Sequence, residues 1–443
     1  MADRPADVTV IRTPAESGLS ELFDRLKGGL PGDVAVREAA LAGFGERGLP
    51  HRRVEEFKYF DLRALMREAA PPAPRPDADD VAKAIGRAQA FADVPATRLT
   101  FVNGHLVEGP GNAVSVPGEI EVVPLNEALT SGHPLLKRLG SVAVARDNPL
   151  VQLNAAFMSD GAIIRVAAGA KPVGPLALRF LSTGAAASST AIRILVVVED
   201  DAALDLIESH EGANGLATQQ NTMVEIIAGD RSVVNHVRLN AEGDAALALS
   251  TLSTRLGAKV EFSTFNMVVG SSAARHQVFC CFEGEGSQAR IDGVSLLRGR
   301  QQGDATLVVD HAVPHCTSRE IARTILDDNA IGVFQGKIIV RPHAQKTDGS
   351  MKSDTLLLSD DATMNNKPEL EIFADDVVCG HGATCGALDE DLLFYLKSRG
   401  LPQPEAEALL LQAFVGPPIE AIADEAVRGA LIGIVEQWLA SRS

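Results

Sequence analysis

The residues best equipped for chemistry stand in one short run, Cys379-Gly380-His381-Gly382-Ala383-Thr384-Cys385. Thiolate and imidazole are soft to borderline ligands, suited to iron, zinc or cluster sulfur. If the run is extended, Cys379 and His381 fall on the same side, because side chains along a strand alternate with period two. The intervening glycines let another surface approach the backbone closely. The run is not a closed site, since a structural zinc centre takes four ligands at regular spacings and no second pair is visible. Two readings stay open: a buried or chance grouping, or a half-site that another protein completes.

The remaining candidates are weaker. His311, His315 and Cys316 form a second group in Asp310-His311-Ala312-Val313-Pro314-His315-Cys316, which reads as a polar strand-to-turn segment. Cys280 and Cys281 are adjacent and so point to opposite faces of a strand. His51, His105, His133, His210, His236, His276 and His343 are isolated along the chain. Gly332-Val333-Phe334-Gln335-Gly336-Lys337 is one residue short of a phosphate-cradling loop and is followed by Ile338. The glycines at 380, 382 and 386 are spaced one residue too widely for a dinucleotide fingerprint. Neither His-Glu-x-x-His nor Gly-x-Ser-x-Gly occurs. The acid pairs Asp200-Asp201, Asp327-Asp328 and Asp360-Asp361 fall at turn positions. No catalytic residue emerges, and the chain reads as a non-enzyme.

Three zones must position the Cys/His run. From Ser17 to about Ala92 the pattern is helical, with Leu19, Leu22, Phe23, Leu26 and Leu30 on one face. A second helical stretch is expected from Val54 to Ala70, before the prolines at 71, 72, 74 and 76. Asn103-Gly104 then predicts a hairpin turn within Leu99–Val107. From about 162 to 378, short runs of Val, Ile, Leu and Thr recur every 10–15 residues between Gly, Asp, Asn or Ser. So many strands suit a stacked β-helix, although no crisp repeat is visible. The chain ends in three predicted helices, the first from Asp389 to Arg399 with Gly400 as its stop. The second runs from Pro404 to Val415, closed by Gly416-Pro417-Pro418, and the third from Ile419 towards Ser441. They cap the stack or offer a face to a partner. The resulting expectation is an N-terminal helical domain (1–98), a mixed connecting region (99–161), a β-helix core (162–378) and a C-terminal helical domain (379–443).

Composition narrows the function. The 443 residues are 46% hydrophobic but only 4% aromatic, so Val, Ile, Leu and Ala must fill the core. A net charge of −17, with no basic block longer than Arg52-Arg53, disfavours nucleic acid and acidic membranes. The polar start Met1–Pro5 lacks the apolar core of a secretory signal, and no apolar stretch reaches the ~18–20 residues needed to span a bilayer. Five unevenly spaced cysteines suggest reduced thiols in a cytoplasm.

Several blocks carry a family resemblance. Asp376-Val377-Val378-Cys379-Gly380-His381-Gly382-Ala383-Thr384-Cys385-Gly386, followed by Leu388–Gly400, is similar to the C-terminal signature of the SufB/SufD family of iron–sulfur cluster assembly scaffolds. Phe334–Val340, Ala344–Asp348, Leu356–Ser359 and Lys367–Ile372 fit in order. Further upstream, Gly48-Leu49-Pro50, Glu55–Tyr59, Phe101–Gly104 and Leu153–Gly161 also fit. His381-Gly382-Ala383-Thr384 stands where the SufB branch carries His-Glu-Ala-Thr, which favours the SufD branch. The chain departs from the pattern at Phe57, where Trp is usual, at Gly349, where Ala is common, and at Asp354-Thr355, where a more amide-rich pair stands.

The resemblance implies a mainly β fold, a right-handed parallel β-helix flanked by helical domains. It implies a scaffold that pairs with SufB through the β-helix and docks the ATPase SufC through its C-terminal helices, with Leu392, Phe394, Tyr395 and Arg399 as the contact face. A transient iron–sulfur cluster would form at the SufB interface, with His381 as one ligand, Cys379 assisting and Cys385 ranked lower. The alternatives are a SufB-like paralogue and a purely structural adaptor. The sequence carries no signature for a flavin, and it leaves both flavin binding and homodimerisation open.

Overall fold

A computed structural model describes residues 12–107, 119–142 and 145–442; the Met1–Pro5 reading lies outside them. The chain from Asp160 to Gly386 winds into a parallel β-solenoid of two sheets, to which successive strands contribute alternately. One sheet runs from Asp160–Val166 to Thr363–Ile372, and the other from Leu176–Leu181 to Val378–Gly386. Each strand is paired in register with the equivalent strand of the next turn, as Gln288–Leu297 is with Thr317–Leu326. Inward side chains such as Ile226, Leu252, Val278, Phe282 and Ile338 fill the tube. This is the aliphatic core that the scarcity of aromatics required.

The corners show why the repeat is hard to see. Gly169, Asp201, Arg231, Lys259, Gly286, His315 and Lys346 occupy one corner in successive turns, all with positive φ. What recurs is a left-handed backbone, adopted by glycine at low cost and by other residues against a steric penalty. His315 is therefore a corner residue, and the segment around it is the expected strand-to-turn passage. At the start of the solenoid, Thr97–Val102 and His105–Val107 form the expected hairpin, with Asn103 and Gly104 at φ 51° and 82°.

Four expectations need correction. Val54–Ala70 is not a helix but a turn at Glu55–Phe57 and one helical turn at Leu62–Leu65, capped by Asp61. Its apolar residues point in several directions, and Phe57, Phe60, Leu62 and Met66 are buried against Leu247, Leu249 and Ala273 of the outer sheet face. The helix from Gln403 continues to Glu420 through Gly416-Pro417-Pro418. The prolines lie in its last turn and cannot donate to the carbonyls four residues back, and burial of Pro418 and Ile419 against the solenoid holds the turn in place. The last helix begins at Glu425, capped by Asp424, and not at Ile419. Finally, the boundary expected at 379 falls inside the last solenoid strand, and the helical tail starts at Glu390.

The C-terminal helices do not close the end of the tube. Leu411, Val415, Ile419, Val427, Leu431, Val435 and Trp438 pack along the outer face of one sheet, against Ile207, Val237, Phe265, Met267, Val294 and Ile325. The N-terminal helix Pro14–Leu26 is fixed by a reciprocal cap, Thr13 with Glu16, and buries Leu19, Leu22 and Phe23. Among the described residues, the strands of the final turn each keep one unpaired edge.

Candidate functional site

The Cys/His run is the last strand, Val378–Gly386, which among the described residues is paired on one side only, with Asp348–Leu357. Its register places Cys379 opposite Gly349, His381 opposite Met351 and Cys385 opposite Thr355. Met351 belongs to the interior core, so Cys379, His381, Ala383 and Cys385 share its inward-facing side. Cys379 and His381 are thus neighbours on one face, about 6.6 Å apart along the strand. With no further turn above them, His381 and Cys385 are exposed and Cys379 is half-buried against the core.

The opposite wall of this open end comes from Thr363–Ile372. Its register with Ile331–Val340 puts Asn366, Pro368, Leu370 and Ile372 on the inward side, over Phe334, Gly336, Ile338 and Val340. Asn366 Oδ1 accepts a hydrogen bond from Ser353 Oγ at 2.7 Å, which links the two walls across the interior. Pro368 is tolerated because this strand has an unpaired edge. Ile372, Phe373 and Val378 form an exposed apolar rim at the final corner.

Both thiols of the run hold their protons. Burial raises the Cys379 pKa, with Asp348 and Glu320 adding to the effect and the Gly349 backbone opposing it. Burial also raises that of Cys385. A metal would have to displace these protons, which makes affinity rise with pH. Among the described residues, no group of three or more His, Cys, Asp or Glu is placed to hold a metal ion. The run is an open donor set of imidazole and thiol on a free sheet edge. Cys280, inside, and Cys281, half-buried outside, sit on opposite faces as expected, and burial pushes each up to about 12. His311 is buried, stacked on Phe282 at 4.5 Å and hydrogen-bonded to Ser318 at 3.0 Å.

The helix Glu390–Ser398 follows, capped by Asp389. It buries no residue, and Leu392, Phe394 and Tyr395 are 51%, 74% and 53% exposed. The Arg399 guanidinium lies 5.0 Å over the Tyr395 ring. Leu392 and Tyr395, three residues apart, share one side of the helix, and Phe394 projects from another.

Stacking also joins residues that the sequence showed as isolated. Glu208 is fully buried inside the tube, bonded to His210 at 2.5 Å, His236 at 3.2 Å and Arg238 at 3.1 Å. His236 continues to Thr264 at 2.9 Å and Arg238 to Asn266 at 2.9 Å. Their spacing of 28–30 residues, one solenoid turn, was the available signal. Two turns below the last strand, under Met351, Glu320 faces inward at 1% exposure, and among the described residues neither carboxylate oxygen has a well-formed hydrogen bond. No helix is long and apolar enough to cross a membrane among the described residues.

The fold and the site together define a parallel β-solenoid that presents imidazole and thiol donors on the edge of its last strand. Comparison with known proteins gives the family. Residues 180–414 match the SufBD core domain of the SUF system for iron–sulfur cluster assembly, and residues 33–177 match the SufBD N-terminal region. The chain belongs to the SufBD family. It is 27% identical over 398 residues to the iron–sulfur cluster assembly protein SufD of Escherichia coli, covering 88% of this chain and 90% of that one. It is 29% identical over 415 residues to a SufBD family assembly protein of Synechocystis, covering 90% and 89%. A SufD of Bacillus subtilis is 26% identical over 300 residues, covering 66% and 67%.

Proposed function

We propose that this chain is the SufD-type scaffold of an iron–sulfur assembly complex and carries out no turnover of its own. The open end of its solenoid pairs with a SufB-type subunit. The observation that carries this reading is the placement of Cys379 and His381 on the inward side of a strand with a free edge. His381, exposed, supplies one ligand to the nascent cluster, which is cargo and not a resident cofactor. Cys379 assists from its half-buried position, and Cys385, farther along the same face, is the third donor in rank. The apolar rim of Ile372, Phe373 and Val378 gives the partner a surface to bury.

The helix Glu390–Ser398 docks an ATPase of the SufC type through Leu392, Phe394 and Tyr395, with Arg399 at its end. The test is anaerobic co-expression of the chain with SufB- and SufC-type proteins, followed by purification, iron and sulfide analysis and an absorption spectrum. A ternary complex that carries iron and acid-labile sulfide is expected. A chain that purifies alone in the presence of both proteins would contradict the reading.

A further inference from the structure

The last strand has an outer face as well as an inner one, and the two are unequal. The inner face carries Cys379, His381, Ala383 and Cys385; on the outer face Gly380, Gly382 and Gly386 leave Thr384 as the one side chain beyond Val378. Glycine loses more conformational entropy on ordering than any other residue. This strand holds three glycines and, among the described residues, pairs on one side only, so a side-chain contact at Thr384 adds to what its backbone ladder can hold.

Thr384 lies directly opposite Asp354, and its hydroxyl donates to Asp354 Oδ1 at 2.5 Å. Asp354 lies in turn directly opposite Arg323, with which it forms an ion pair, and Lys352 Nζ stands 3.2 Å from Asp354 Oδ2. The Arg323 guanidinium sits 5.0 Å over the ring of Phe414, in the helix Gln403–Glu420. Asp354 is buried at the centre of this row. A hydrogen bond to a buried, charged acceptor is about twice as strong as a neutral one.

We propose that Asp354 is a positioning residue: it holds the strand that bears Cys379, His381 and Cys385 in register, and it ties that strand through Arg323 to the C-terminal helical layer. The functional consequence rests on the ligand role proposed above, whereas the fastening itself does not.

The test is hydrogen exchange on the full chain, read in peptides covering 378–386. Thr384→Val keeps the shape and strand preference but removes the donor. Exchange in these peptides should rise about tenfold or more, with peptides from 218–256 unchanged, as expected for local opening of a terminal element. Thr384→Ser should restore protection, and Asp354→Asn should give an intermediate loss. Alkylation of the half-buried Cys379 should accelerate in parallel. Unchanged exchange in a folded Thr384→Val protein would overturn the proposal, as would failure of Thr384→Ser to restore it. Faster exchange with unaltered cluster assembly would support the fastening and count against the ligand role alone.

Discussion

Glu320 offers a prediction whose size follows from the structure. Its side chain points into the tube, is 1% exposed, and has no well-formed hydrogen bond at either oxygen among the described residues. Burial pushes its pKa from 4.5 to about 8, a change that the Ser318 hydroxyl and the Arg319 charge only partly oppose. The folded state therefore binds this proton more tightly than the unfolded chain does. Glu320 costs nothing below about pH 4.5, where both states are protonated, and destabilises progressively as pH rises to about 8. At 1.36 kcal/mol per pH unit the cost is under about 1 kcal/mol at pH 5, roughly 3 at pH 7 and up to roughly 5 above pH 8. Buried His210 and His311, lowered to about 4, act in the opposite sense as pH falls below 6.5, so pH 6.5–8 separates the acid from the imidazoles. Glu320→Gln keeps the shape and removes the titration. Denaturant unfolding of both proteins at pH 5, 7 and 8 should show the variant near parity at pH 5 and gaining about 2–4 kcal/mol by pH 8. Parallel curves across this range would refute the argument, because they would mean that the carboxylate has partners or water that the interior geometry does not provide.

Further outcomes follow from the exposure pattern. In the native chain, iodoacetamide should label Cys385 quickly and Cys379 slowly, while Cys280 and Cys316 react only on unfolding; mass spectrometry of the labelled peptides checks the order. Phe394→Ala and Tyr395→Ala should change unfolding free energy by less than about 0.5 kcal/mol, since both side chains face solvent. The same substitutions should weaken binding of a SufC-type ATPase by at least about tenfold in calorimetry, as expected of aromatic anchors. Unchanged affinity would remove the helix from the docking surface.

Much of the architecture was legible in the residues. Strands such as Val233–Ala241 and Ile331–Val340 were visible as apolar runs, because their inward positions are aliphatic and turn residues bound them. Thr317–Leu326 was not, since Arg319, Glu320 and Arg323 break the apolar pattern, and only the stacked neighbours make that segment a strand. Thr363–Ile372 was hidden by Asn365, Asn366, Lys367 and Pro368, residues that an end strand tolerates because one edge and part of one face are free. The repeat escaped notice because positive φ, not residue type, is what recurs at the corners.

The site was legible in part. The alternation of Cys379, His381 and Cys385 with other residues stated which side chains share a face, conditional on an extended backbone. The structure supplies that condition and adds that the strand is terminal. Asp354, Arg323 and Thr384 were out of reach, as they meet only through a register of about 30 residues. The same holds for His210, His236 and Glu208, which a linear reading leaves unrelated.

The most direct test of the account is anaerobic reconstitution of the ternary complex with His381→Ala in place of the wild-type chain. The strand's pairing does not involve the imidazole, so complex formation and unfolding free energy should be unchanged. Iron and sulfide incorporated per complex should fall by about tenfold or more, as for loss of a ligand from a shared site. Wild-type cluster content in a complex of normal composition would contradict the ligand role and leave the chain a structural adaptor.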